Sequence, residues 1–152
     1  MPTVTDYHQN VRDAVVTALT PLSVGCPVRA FDSPDDMLDW TLPLVGVACV
    51  GPEQDRPDWG TNLSDGVGYP VVVALLTRGT TRGERAGGPL EMTAFRRLVK
   101  TTFHMKRLSA VTRVGFCEVS DAGGGIFDEK SPHFQKLQTA LVVTAVGRFP
   151  RT

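Results

Sequence analysis

Histidine, cysteine, serine and paired carboxylates are the side chains in this sequence that could carry chemistry, and their spacing decides which chemistry that would be. The histidines, His8, His104 and His133, stand far apart. None pairs with another at the helical step a zinc site needs, and no HExxH pattern occurs. Cys26, Cys49 and Cys117 are odd in number, widely spaced and free of any CxxC pairing. They read as reduced, core or near-core residues rather than as a disulfide framework or ligand set. A nucleophilic serine needs a sharp turn such as GxSxG. Ser23, Ser33, Ser64, Ser109, Ser120 and Ser131 sit instead in turns, at helix ends or at strand edges, where serine caps backbone groups. The pairs Asp35-Asp36 and Asp128-Glu129 adjoin Ser33-Pro34 and Ser131-Pro132 and read as solvated turn acids. Gly123-Gly124-Gly125 is not followed by Lys-Ser or Lys-Thr, so it makes no phosphate loop. Residues 78–88 lack GxGxxG, although a backbone nest for an anion stays open there. The expectation is no metal, no cofactor and no catalytic residue, hence a protein that is not an enzyme.

What remains is interaction chemistry. Trp40 and Trp59 lie in or beside polar loops, and tryptophan is enriched at interface hot spots. Arg78, Arg82 and Arg85 project from one predicted loop, and Asp55, Asp58 and Asp65 from another. Head-to-tail association of identical subunits needs two different, complementary patches, which such charge separation supplies. Arg78, Arg82, Arg85 and Trp59 are therefore the candidate interface residues, and Arg82 or Arg85 is expected to face an acidic neighbour or a lumen.

These residues need elements to hold them. Apolar positions Val4, Tyr7, Val11, Val15, Ala18 and Leu22 form one stripe and predict a helix over 5–19, with Thr5 as N-cap and Pro21 as stop. Residues 26–31 suit an edge strand, where Pro27 is tolerated. Continuous apolar runs predict buried strands over 42–50 and 69–77. The intervening residues 52–68 read as a long polar loop with Trp59 exposed in its middle, and 78–88 as a second loop. Pro89 suits the first turn of a second helix running to about residue 108, whose buried face is Leu90, Ala94, Phe95, Leu98, Val99 and Met105. Strands over 110–119 and 137–149 close the chain. Strands grouped between helices predict an α+β fold: one mixed or antiparallel sheet of four to five strands, with two helices packed on one face. Val47, Val72, Leu75, Leu98, Val142 and Val146 are expected in the core.

The chain's 152 residues fit a single domain, 1–152. Sixteen basic residues balance sixteen acidic ones, which argues against a general nucleic-acid or membrane-surface binder but leaves room for a local basic patch. The opening residues lack a secretory pattern and no apolar run is long enough to span a bilayer, so the expected site of synthesis and folding is the cytoplasm.

The order of elements, with the ending His133–Thr152, HFQKLQTALVVTAVGRFPRT, resembles the tail terminator (tail completion) proteins of long-tailed bacteriophages. Those proteins begin with an amphipathic helix, carry a sheet crossed by a second helix, and finish on a hydrophobic strand with an aromatic and basic tail. The resemblance implies a structural virion protein, made in the host cytoplasm. It would form a homo-oligomeric, hexameric ring at the head-proximal end of the tail tube, ending tube growth and joining tail to neck. The implied partners are further copies of itself, the tail tube protein and neck or connector proteins, with non-specific contact to DNA passing through the lumen and no membrane. Two alternatives stay open. One is another head–tail connector or tail-tube component. The other is a small α+β ligand-binding or enzymatic domain using His104, Cys117 and Arg78.

Overall fold

The computed structural model describes residues 6–22, 25–40, 43–61, 63–77, 92–108, 110–111, 114–123, 125–131 and 137–150. Helix α1, Tyr7–Leu19, is capped by Asp6, whose side chain accepts from Gln9 N–H at 3.0 Å. Asp6 thus takes the place expected of Thr5, which lies outside the described residues. Val11, Ala14, Val15 and Leu19 recur on one face of α1 and are buried. Strands follow as β1 (Val28–Phe31), β2 (Leu44–Cys49), β3 (Gln54–Asp55) and β4 (Ser64–Leu76). A second helix α2 (Met92–Phe103) precedes β5 (Val114–Asp121) and β6 (Leu137–Pro150).

All six strands join one mixed sheet in the order β1-β2-β4-β6-β5, with β3 paired to β4 off that path. The β1–β2 pair is parallel and the others antiparallel. The fold is α+β, as the grouping of strands and helices predicts. Its spine is the β4–β6 ladder, in register from Ser64↔Pro150 to Leu75↔Thr139, with a shift before Leu76↔Leu137. The chain passes from β4 through α2 to β5 and returns as β6 between them, a split β–α–β arrangement.

Alternation along the strands sorts the core onto two faces. Val45, Val47, Val71, Val73, Leu75, Leu141 and Val143 meet both helices on one side, through Val11, Val15, Phe95 and Val99. On the other side Leu44, Ala48, Val72, Ala74 and Leu76 are covered by Met37 and Leu38 of a short 3-10 helix, Pro34–Asp39, and by Phe127. Val47, Val72, Leu75 and Val146 are fully buried as expected. Leu98 and Val142 are only half-buried.

Three expected boundaries are corrected. The helix expected to reach residue 108 ends at Phe103, because Met105 takes a left-handed conformation with φ of 58°. That turn aims the next residues at the outer edge of β5. Met105 N–H donates to Cys117 O at 2.8 Å, and Cys117 N–H donates to Lys106 O at 2.9 Å. Met105, expected inside, is therefore exposed, as is Ala94, while Leu90 lies outside the described residues. The polar stretch 52–68 is not a long loop: it holds β3, the 3-10 turn Pro57–Trp59 and the first five residues of β4. β5, expected over 110–119, runs from Val114 to Asp121.

Among the described residues no helix is long and apolar enough to cross a membrane.

Candidate interaction surface

Trp59 is half-buried, not free in solvent, and the backbone explains why. The chain leaves β3, turns through Pro57–Trp59 and re-enters as β4, laying Trp59 across the sheet. Gly66 and Gly115 make the approach possible. A Cβ on Gly66 would lie 2.1 Å from Arg56 O and 2.8 Å from Trp59 Cβ, and one on Gly115 would lie 3.2 Å from the Trp59 ring. Here glycine is required by close backbone approach rather than by a turn.

Arg56 fastens this excursion to β5. Its Nε and Nη2 donate to the two oxygens of Asp58 at 3.1 and 2.9 Å, and its Nη1 and Nη2 donate to the two oxygens of Glu118, both at 3.1 Å. Such forked pairing is the strong form of the Arg–carboxylate bond. Hydrogen bonds to Asp58 and then Glu118 hold the guanidinium firmly charged, and Arg56 in turn holds the Asp58 carboxyl below the usual carboxylate range. Asp58, expected to present free acid to a neighbour, is thus committed within its own chain.

Beside this anchor lies an open, mostly apolar groove of about 410 Å³, lined by Trp59, Arg107, Val114, Phe116, Val146 and Arg148 among others. Phe116 is 43% exposed and its ring centroid sits 5.8 Å from that of Trp59. Arg148 donates from Nε to Trp59 O at 2.8 Å and lies over the indole at 5.7 Å, a cation–π contact. Leu63, 81% exposed, projects from the tip that joins the 3-10 turn to β4. Exposed apolar groups rimmed by charge mark surfaces that meet other molecules.

Of the sequence-predicted interface residues, the structure places Trp59 at this surface. Arg78, Arg82 and Arg85 lie outside the described residues. Phe116, Arg107 and Arg148 are additions. Strand alternation already puts Val146 and Arg148 on one face of β6, but only the β5–β6 register, Phe116↔Val146, brings Phe116 to them.

The residues named for the enzymatic alternative are placed differently. His104 and Cys117 are bridge partners along the backbone, yet the His104 Nδ1 accepts from Val119 N–H at 3.0 Å. The Cys117 side chain is buried, and that burial pushes its thiol up to about 11. A nucleophilic cysteine needs the opposite shift. His8 donates from Nε2 to Pro70 O at 2.6 Å, and His133 lies outside the described residues. Among the described residues, no three His, Cys, Asp or Glu side chains are grouped to hold a metal ion. Burial likewise pushes the Cys26 thiol up to about 11, and that of Cys49 upward. With little thiolate present, Cys117 is expected to resist iodoacetamide at pH 8 in the native protein and to react fully in denaturant. Mass spectrometry of peptides would read this, and rapid native labelling of Cys117 would contradict its placement.

No protein-family model matches the chain, and no curated protein matches it in sequence.

Proposed function

We propose that the chain is a structural assembly protein of the tail-terminator type, a ring-forming subunit that ends a phage tail tube and joins it to the neck. The observation that carries this reading is the apolar surface of half-buried Trp59 and exposed Phe116 and Leu63, flanked by Arg107 and Arg148. Exposed aromatics beside arginines suit a protein–protein contact, in which Trp and Arg supply most of the energy. The element order adds weight: an opening amphipathic helix, a sheet crossed by a second helix, and a long last strand, β6, running between β4 and β5. Phe149 near its end packs edge-on to Tyr7 of α1, at 5.0 Å between centroids, so the aromatic close of the chain is tied to its opening helix. On this reading Arg78, Arg82 and Arg85 face an acidic neighbour or the DNA in the lumen, since a planar guanidinium fork serves carboxylate and phosphate alike.

Electron microscopy tests the reading. Purified chain mixed with assembled tail tubes of the same virus is expected to give closed rings seated at one tube end, and tubes that no longer elongate when tube protein is added. Tubes that stay bare and keep growing would sink it.

A further inference from the structure

The two edges of the sheet carry surfaces of opposite charge built on a similar aromatic plan. At the β5 edge, Trp59 and Phe116 are flanked by Arg107 and Arg148, while the nearby carboxylates Asp58 and Glu118 share the guanidinium of Arg56, so three arginines outnumber two acids there. At the β1 edge, Trp40 is 44% exposed and stands edge-on to Phe31, 5.6 Å between centroids. It borders a second groove of about 410 Å³ shared with Asp32 and Asp36. The Asp32 side chain is 94% exposed even while touching Arg12. Asp36 has no side-chain hydrogen bond or ion pair among the described residues. Arg29 lies over the Trp40 ring at 5.2 Å and is the cation among the described lining residues there.

We infer that these surfaces are the two halves of one head-to-tail contact, in which the Asp36–Trp40 edge of one copy seats in the Trp59–Arg107–Arg148 groove of the next. The inference rests on the ring reading above and supplies its subunit interface. Charge complementarity selects the occupant: a groove with two arginines and an aromatic floor takes an acidic segment carrying an aromatic, and the chain displays such a segment at its other edge. Geometry forbids the two from meeting within one chain, because the order β1-β2-β4-β6-β5 sets the edges about 20 Å apart at the usual strand spacing. A copy cannot fill its own groove, so the contact is made between copies, and a head-to-tail contact of this kind closes into a ring or runs on as a filament according to its rotation.

The experiment uses charge reversal at the two exposed side chains that hold no ion pair among the described residues, Arg107→Glu and Asp36→Arg, read by sedimentation velocity at low ionic strength. Wild-type chain at high concentration is expected to form species larger than a dimer. Each variant alone is expected to lose them, with association weakened on the order of tenfold or more. In an equimolar mixture the sound acidic edge meets the sound groove, and the two reversed charges again face each other with opposite sign, so it is expected to recover species larger than a dimer. Circular dichroism matching the wild type shows that both variants fold, and Arg107→Lys, which keeps the charge, is expected to retain assembly. Variants that assemble like the wild type, or a mixture that stays monomeric while the wild type assembles, would overturn this interface and leave the ring reading standing. A wild-type chain that stays monomeric at millimolar concentration and low salt would overturn both.

Discussion

Gly66→Ala is expected to destabilise the protein by about 3 kcal/mol and to detach Trp59 from the sheet. The added methyl would fall 2.1 Å from Arg56 O, 2.8 Å from Trp59 Cβ and 2.9 Å from Gly60 N. Most of these atoms are backbone, so no rotamer change relieves the clash. The excursion must lift away instead, losing the Arg56 N–H to Gly66 O bond of 2.8 Å and the forked bonds from Arg56 to Glu118. Urea denaturation followed by far-ultraviolet circular dichroism measures the loss in stability, and tryptophan emission reports the indole's new exposure. An unchanged midpoint together with unshifted emission would mean that the chain does not cross the sheet at Gly66. Gly115 makes a useful comparison. Its Cβ would meet ring atoms of Trp59 at 3.2 Å, so the indole can tilt and the cost should be smaller.

Phe95→Ala is expected to cost more, about 3–5 kcal/mol, because it removes a large, fully buried side chain and leaves a void that a packed interior fills poorly. Phe95 belongs to the cluster that ties α2 to the sheet, with Val99 and Phe103 on the same helical stripe. For a chain of this size such a loss should lower the thermal midpoint by roughly 10 °C. Scanning calorimetry provides the test. A shift of only a degree or two would place Phe95 outside the core. The exposed neighbour Lys100 offers the control: its replacement by alanine should leave the midpoint almost unmoved.

How far the sequence foretold these elements depended on whether the cause was local. The stripe in α1 was legible because Val11 and Val15 need only a regular helix to share a face, although Leu19 rather than Ala18 is its buried continuation. The apolar runs in β2 and β4 announced buried strands for the same reason. The start of β4 was hidden, since Ser64-Asp65-Gly66 has the composition of a turn. Pairing with the far end of β6, Ser64↔Pro150 through Val67↔Gly147, overrides that local preference. The end of α2 was hidden too. Met105 carries no glycine signal for its left-handed turn, and the bonds that stabilise the turn come from β5. Trp59 could be singled out by residue type, whereas its groove could not be seen, because Phe116 and Arg148 come together through the register of β5 on β6, and Arg107 through the segment after α2 that bonds to β5. Gly66 and Gly68 inside a strand were the one local hint that another piece of chain crosses there.

The short segment that follows α2 has a consequence beyond ending a helix. By bonding to both backbone groups of Cys117, and through the His104 ring to Val119 N–H, it occupies the middle of the β5 edge. A sheet whose two rims both offer free amide and carbonyl groups is a template that can lengthen without limit as copies add strand to strand. Here one rim is plugged at its centre, and the other, β1, runs for only four residues and bears Arg29. Crowded copies of this chain therefore have little chance of fusing into a continuous cross-β ribbon. Whatever joins them at the β5 rim has to be side chains.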